Sequence, residues 1–437
     1  MDHENYLGIL LTKNGTQLYI TKHIGEGASS FVYLAMDKYN KEYALKLYKN
    51  FESYCNEINK IRKILPSKYI VKLISNGQGR LQRGYSCYSF KLFNYFDTGP
   101  VEYGLFEYLK NGELQNYVFL LKKKFSEEIS RKIFFDILMA VEVCHESGIS
   151  HGDIKLQNIM LNSNFNLKLI DFGFSKNIKD GLISEITGSR FYNAPEMFSC
   201  ATKGYVGTLS DIFSLGVVLF VLVMGFYPFD KPNITDIRYK FISKKDFSGF
   251  WKKCEQKKIL TNNNNNSNNN SLGVSPEFKD LFEKMVCPKP DERISISEIK
   301  KHPWIQELTN YYAENEIEGK IEINKKNGNN LGKKNLSSPK KNKIKQLSHN
   351  PSFSKEEKKL EKKFENIDDN KSNHSDDSNQ KISNKSNLMS FPHYLEENKN
   401  NNSQNLLQEI EIKYLKEVAT RKISIDKILK EQEDDND

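Results

Sequence analysis

An acid, a lysine and an amide stand at short, fixed spacing in His151-Gly152-Asp153-Ile154-Lys155-Leu156-Gln157-Asn158, and a strand's length further on comes Asp171-Phe172-Gly173. The polar groups are separated by apolar Ile159-Met160-Leu161 and by Leu167, Leu169 and Ile170. Such a set suits phosphoryl transfer, which asks for little covalent work: an acceptor hydroxyl must be placed, a magnesium ion held, and charge on the moving group neutralised. Asp153 is suited to orient the hydroxyl as a base, and Lys155 to reach a terminal phosphate. Asn158 and Asp171 supply the hard oxygen ligands that magnesium prefers.

At this distance from each other the two segments resemble the catalytic loop and metal-binding triplet of the eukaryotic protein kinases. The resemblance implies ATP and Mg2+ as cofactors, Asp153, Lys155 and Asn158 as catalytic residues, and Asn158 and Asp171 as metal ligands. It also implies a nucleotide-binding half upstream. Ile24-Gly25-Glu26-Gly27-Ala28-Ser29-Ser30-Phe31-Val32 matches the Gly-rich loop over the ATP phosphates, with Ser30 at the third glycine position. Gly25 and Gly27 let the backbone approach phosphates closely, and Ser30 fits a hairpin loop if its φ stays negative. Tyr43-Ala44-Leu45-Lys46 reads as the alternating strand whose lysine holds the α and β phosphates.

The elements that must position these groups follow from periodicity. Ser53 to Leu65 has helical spacing, with Ile58, Ile61 and Leu65 on one apolar face. Glu57, beside that face, is the expected ion-pair partner of Lys46; Glu52 is the competitor, since an acid at a helix start also serves the helix dipole. Leu105-Phe106-Glu107-Tyr108-Leu109 resembles the last small-lobe strand running into the hinge, with backbone groups of Glu107 and Leu109 on the adenine and Phe106 as gatekeeper, or simply as a core aromatic. The implied ATP-binding set is Ile24, Gly25, Glu26, Gly27, Val32, Ala44, Lys46, Glu57, Glu107, Leu109 and Met160.

Downstream, Ala194-Pro195-Glu196 resembles the motif that closes the activation segment, with Arg293 as its buried partner, and His302-Pro303-Trp304 resembles the domain end. Asp211 precedes Ile212 to Phe229, eighteen uncharged residues that pass for a membrane span. The run contains Ser214, Gly216, Gly225 and Pro228 and falls where kinases bury a central helix, so a core helix is expected, with Asp211 capping the catalytic-loop backbone.

The expected fold is α+β and bilobal: an antiparallel small-lobe sheet, a mainly helical large lobe and a disordered C-terminal tail. In the 437-residue chain this gives an N-terminal extension 1–17 and a kinase domain 18–307. The domain divides into small lobe 18–107, hinge 108–112 and large lobe 113–307, with an Asn-rich insertion at 262–271. The tail 308–437 is rich in Lys, Asn, Ser and Glu, which cannot bury a core; a weaker helical pattern spans 405–429. The segment Gly77 to Pro100 reads as a docking insertion between two small-lobe strands. Six scattered cysteines without a Cys-x-x-Cys pair suggest neither zinc nor a disulfide framework. A start without an apolar segment argues for an intracellular, cytoplasmic location, and the basic run Lys340 to Lys345 leaves nuclear import open beside a merely solvated tail.

Lys155, two residues after Asp153, is the serine/threonine-type arrangement, and Ser189 sits where that class places a hydroxyl on the catalytic acid and lysine. The post-hinge Asn111-Gly112-Glu113 resembles the calcium/calmodulin-dependent-like group, whose glutamate pairs with an arginine three residues before the acceptor. Glu113 and Ser189 are therefore the substrate-binding candidates, and protein substrates with serine or threonine acceptors the expected partners. Gly152 replaces the arginine that usually grips an activation-loop phosphate, and Glu185 lies near the usual phosphosite between Ser184 and Thr187. These imply activity independent of loop phosphorylation, with Ser184, Thr187 and the tail residue Ser424, in Arg421-Lys422-Ile423-Ser424, as regulatory candidates. No calmodulin site is visible in Gln306 to Lys320. A regulatory partner bound through the tail, no nucleic-acid partner and no membrane span complete the expectations, and a nucleotide-binding pseudokinase scaffold, suggested by Gly152 and Ser30, is the alternative.

Overall fold

In the computed structural model the residues described are 6–312, except 65, 85–91, 93–94, 97–98, 120–124 and 262–271, together with residue 413. The Asn-rich insertion, the tail apart from Lys413, and Ser424 lie outside the described residues.

The small lobe is a barrel of six antiparallel strands: β1 (Gly8–Thr12), β2 (Gln17–Glu26), β3 (Ser30–Met36), β4 (Glu42–Tyr48), β5 (Leu73–Arg83) and β6 (Pro100–Glu107). They close in the order β1-β2-β3-β4-β6-β5. Alternation drives this, because Leu18, Ile20, Tyr33, Ala35, Leu45, Leu47, Tyr103 and Leu105 all turn inward. Within the segment 1–17, β1 pairs with both β2 and β5, so Gly8–Thr12 form part of the barrel wall. Likewise Gly77 to Arg83 extends β5, which shortens the connection to β6. In that connection Leu92 and Phe96 are buried against the barrel core.

Helix α1 (Phe51–Lys63) starts two residues earlier than its apolar spacing predicts, because the Asn50 side chain accepts a hydrogen bond from the Ser53 N–H at 2.8 Å and caps it. Its buried face carries Glu57, Ile58 and Ile61.

After residues 108–111 the chain enters β7 (Gly112–Glu113), so the hinge is one residue shorter than expected. The large lobe follows with α2 (Leu114–Phe119), α3 (Glu127–Glu146), β8 (Ile149–Ser150), β9 (Ile159–Leu161), β10 (Leu167–Leu169) and β11 (Lys176–Asn177). Strands β10, β9 and β7 form one small sheet, and β11 pairs with β8. Thereafter come α4 (Cys200–Lys203), α5 (Gly207–Met224), α6 (Tyr239–Ser243), α7 (Phe247–Thr261), α8 (Pro276–Met285) and α9 (Ile296–Lys301).

Helix α5 is the apolar run. It is long and apolar enough to cross a membrane, yet 89% of it is buried inside the domain, which makes it a core helix. Each fully buried Leu, Val or Phe contributes roughly 1.5–3 kcal/mol. The helix begins at Gly207, so Asp211 lies within it rather than before it, and it stops at Gly225, whose φ of +76° suits a residue without a Cβ. Residues 303–312 are helical. Trp304 is buried there and donates to Glu127 Oε1 at 2.7 Å, while Tyr312 stacks on Phe135 at 5.0 Å. Lys413 donates to the Phe165 carbonyl at 2.8 Å and to Asn166 Oδ1 at 2.9 Å.

Candidate active site

The catalytic loop between β8 and β9 is held from beneath by one carboxylate. Asp211, 1% exposed on α5, accepts from the His151 N–H at 2.8 Å and the Gly152 N–H at 2.9 Å, and it meets His145 Nε2 at 2.9 Å. The His151 ring packs edge-on to Phe172 at 5.0 Å, and its Nε2 lies 3.0 Å from the Ile170 carbonyl. The loop and the Asp-Phe-Gly triplet are thereby fixed to each other.

On that support Asp153 is the hub. Its Oδ2 lies 2.7 Å from Lys155 Nζ and accepts from Asn158 Nδ2 at 3.0 Å, while its Oδ1 accepts from the Ser189 hydroxyl at 3.0 Å. Lys155 Nζ in turn donates to Ser189 Oγ at 3.0 Å. Because Asn158 spends its amide N–H groups on the Asp153 carbonyl, at 2.8 Å, and carboxylate, its own Oδ1 is the atom that can face a metal.

The second cluster joins the two lobes. Lys46 on β4 reaches Glu57 on α1 at 2.6 Å and Asp171 at 3.0 Å. Burial by itself lowers the pKa of the Lys46 ammonium, but the charges of Asp171 and Glu57 outweigh it and raise it above the usual lysine value, holding the lysine protonated. For Asp171 burial pushes upward too, and the adjacent Lys46 charge overrides it, leaving the carboxyl at about 2 and ionised near neutral pH. Glu57 was preferred to Glu52 on helical spacing, and it is Glu57 that makes the contact.

The remaining ATP-site candidates are carried by β2 and the hairpin after it, β3, β4, β9, and the end of β6 with the hinge. Glu26 ends β2 and Gly27 follows it in the hairpin that Ser30 closes, with the Gly27 N–H on the Ser30 carbonyl at 2.9 Å. Ser30 is buried and is absent from the residues with positive φ, the condition under which a serine fits here. Ile24, Gly25, Val32, Ala44 and Met160 are half-buried, as walls of a cleft are. Val32 pairs with Lys46 in the sheet, and Ala44 with Phe106. In the hinge the Glu107 N–H donates to the Lys72 carbonyl at 3.0 Å and the Leu109 carbonyl accepts from the Gly112 N–H at 3.1 Å. Phe106 is buried in the core.

Residues 18–305 match the family model of the protein kinase domain. The chain belongs to the protein kinase domain family. Curated relatives of this kinase domain include CBL-interacting serine/threonine-protein kinase 2 of Arabidopsis thaliana, 37% identical over 220 residues, 49% of this chain and 42% of that protein. Serine/threonine-protein kinase SIK2 of Gallus gallus is 32% identical over 289 residues, 66% of this chain and 32% of its own length. The chain thus spans less than half the length of these relatives.

In this kinase domain the donor set fits Mg2+ and ATP: an ionised Asp171, an amide oxygen on Asn158 and a protonated Lys46, all of which favour a hard cation and phosphate oxygens. Glu113 sits on β7 opposite Met160. Burial pushes its carboxyl above the usual glutamate range, and Lys155 only partly offsets this. Arg293, 5% exposed, clasps Glu196 through two hydrogen bonds of 2.7 and 2.9 Å and also reaches the Leu209 carbonyl at 2.6 Å. Thr187 is half-buried with Oγ1 3.4 Å from the Tyr205 hydroxyl, whereas Ser184 is exposed.

Two contributors escaped the sequence reading. His145, at the end of α3, touches Asp211, and Lys49 straps the Gly-rich hairpin by donating to the Gly27 carbonyl at 3.0 Å. His145 stands six residues before the motif histidine, a spacing without chemical meaning until α3 folds back beneath the loop.

Proposed function

We propose that the chain is an active serine/threonine protein kinase that transfers the γ-phosphate of Mg-ATP to hydroxyls of protein substrates. The observation that carries this reading is the hydrogen-bonded group Asp153, Lys155, Asn158 and Ser189, with the Lys46, Glu57 and Asp171 cluster formed at the same time. Bound Mg-ATP supplies the phosphoryl group and the charge that offsets it. Asp153 accepts the hydrogen bond of the incoming hydroxyl and takes its proton, while Lys155 balances the Asp153 charge and faces the transferring group. Ser189 holds the acid and the lysine in register. A nucleotide-binding scaffold, the other reading of Gly152 and Ser30, would be favoured by a missing charged group, and the contacts among Lys46, Glu57, Asp153, Lys155 and Asp171 support catalysis instead.

Two finer features belong to the proposal. Substrates carry arginine three residues before the acceptor, because Glu113 is an acid that burial leaves short of compensation and a guanidinium supplies it. The kinase works without activation-loop phosphate. The contacts that support this reading are the Lys176 to Glu185 ion pair at 3.2 Å, the Ser175 hydroxyl on the His151 carbonyl at 3.1 Å and the bridge between Ile183 and Tyr205. The plant relatives are named as CBL-interacting; in this chain the tail is the segment we assign to a regulatory partner.

The test is transfer of labelled phosphate from Mg-ATP to a serine peptide with arginine at the −3 position, using dephosphorylated chain. Transfer by the wild type and its loss in Asp153→Ala are expected. ATP binding without transfer would favour the scaffold, and activity appearing only after treatment by an upstream kinase would contradict independence from loop phosphate.

A further inference from the structure

We propose that the connection between β5 and β6 braces the Gly-rich hairpin, with Tyr95, Phe96 and Lys49 as positioning residues that set how tightly the chain holds the phosphates of Mg-ATP. The assignment rests on the nucleotide-binding part of the kinase reading above. The hairpin joins β2 to β3, and just beyond it Val32 stands opposite Lys46 in the sheet, as Phe31 stands opposite Leu47. Partners across a ladder share a face and neighbours along a strand alternate, so Phe31 turns away from the Lys46 face and toward the barrel core. A group that holds Phe31 therefore holds the hairpin without occupying the face that carries Lys46.

Two aromatic residues of the connection meet Phe31. Leu92 is buried in the barrel core, and the Phe96 N–H donates to the Leu92 carbonyl at 3.0 Å, which closes one turn beside the hairpin. The Tyr95 ring lies 5.0 Å from that of Phe31, and the Phe96 ring meets the same ring edge-on at 5.7 Å. Tyr95 and Phe96 also touch each other, with ring centres 5.0 Å apart. At the far end of the connection the Leu81 N–H donates to the Gly99 carbonyl at 3.0 Å, so the segment is tied to the barrel there as well.

Lys49 links this aromatic group to the hairpin backbone. Its Nζ lies 4.5 Å from the centre of the Phe31 ring and 5.5 Å from that of Tyr95, a cation held by two ring faces. The same ammonium donates to the Gly27 carbonyl at 3.0 Å and reaches Glu26 Oε1 at 3.5 Å, while the Lys49 N–H donates to the Ser29 carbonyl at 2.8 Å. One lysine thus fixes the hairpin at residues 27 and 29, and the rings of Phe31 and Tyr95 fix the lysine. A hairpin ordered before the nucleotide arrives loses less freedom on binding, so the brace raises affinity without touching the ligand. Adenosine, which has no phosphates for the hairpin to cover, gains nothing from it.

The experiment measures calorimetric binding of Mg-ATP and of adenosine to the full chain, with steady-state transfer to a serine peptide alongside. Tyr95 is 50% exposed, so its removal spares the barrel core. Tyr95→Ala and Lys49→Met should each raise the Kd for Mg-ATP and the KM for ATP by about three- to tenfold, with kcat and the Kd for adenosine near their wild-type values. Tyr95→Phe and Lys49→Arg, which keep the ring and the cation, should bind Mg-ATP as the wild type does. The double variant of Tyr95→Ala and Lys49→Met should lose less than the product of the two single losses, because the ring acts through the lysine. Wild-type affinity for Mg-ATP in Tyr95→Ala, or an equal loss for adenosine, would overturn the assignment, the second because it reports a damaged lobe and not a loosened hairpin. Mg-ATP binding without transfer by any of these proteins would sink the kinase reading alone, and no Mg-ATP binding by the wild type would sink both.

Discussion

The α-carbon of Gly152 faces the carbonyl oxygen of Phe174 so closely that a Cβ on Gly152 would lie 2.7 Å from it, and the φ of Gly152 is +77°. The loop that carries the catalytic acid and the loop that follows Asp-Phe-Gly are therefore packed backbone to backbone. The arginine usual at this position is sterically incompatible with this arrangement, as is any other side chain. Gly152→Ala should lose roughly 1–2 kcal/mol from the left-handed backbone conformation alone, and Gly152→Arg at least as much, read as a lowered Tm. A Gly152→Arg protein as stable as wild type, and newly dependent on loop phosphate, would show that the backbone tolerates the family's usual residue.

Asp211 satisfies one buried and one part-buried backbone N–H group at once. Truncation by Asp211→Ala orphans both, at roughly 1–3 kcal/mol each, and should also lower kcat by loosening the loop under Asp153. Asp211→Asn keeps an acceptor and should retain more of both. Urea melts and peptide phosphorylation on the three proteins would check this ordering, and an Asn variant as damaged as Ala would point to the charge rather than to the hydrogen bonds.

Breaking the clasp between Arg293 and Glu196 should be worse than removing it. Each single variant, Arg293→Met or Glu196→Gln, leaves a partly or wholly buried group unpaired, and single losses of this kind run to about 3–5 kcal/mol. The double variant should recover part of that loss. A double-mutant cycle in chemical denaturation gives the coupling, and strict additivity would mean that the two residues do not act as a pair.

The −3 arginine preference should titrate. Glu113 attracts the guanidinium only when ionised, and burial raises its pKa despite Lys155. As pH falls, the ratio of kcat/KM for an Arg(−3) peptide over an Ala(−3) peptide should therefore collapse above the ordinary glutamate value of about 4.3. In Glu113→Gln the ratio should be small and flat with pH. A ratio in the wild type that is independent of pH down to that value would remove Glu113 from arginine recognition.

The chemistry of the site was legible because its residues are close in sequence. Asp153, Lys155 and Asn158 lie within six positions, and Asp171 follows two short strands later; this spacing needs only local turns to converge. Glu57 could be chosen over Glu52 because helical period alone puts it next to Ile58 and Ile61 on the buried face. The apolar run Ile212 to Phe229, most of which is helix α5, was legible as core rather than membrane from its glycines, serine and proline. The barrel was not: β1 carries no chemistry, and its role depends on pairing with β5, which begins more than sixty residues after β1 ends.

The amino-acid order by itself determined which groups are chemically competent and which short-range elements deliver them, because capping, period and turn propensity act over a few residues. Contacts between distant segments were decided only in the tertiary structure. His145 beneath Asp211, the Gly152 backbone against Phe174, and Lys49 held by the rings of Phe31 and Tyr95 each depend on long-range packing. Such contacts leave no periodic trace in the chain, since burial and backbone approach depend on which elements meet and not on the spacing within any one of them.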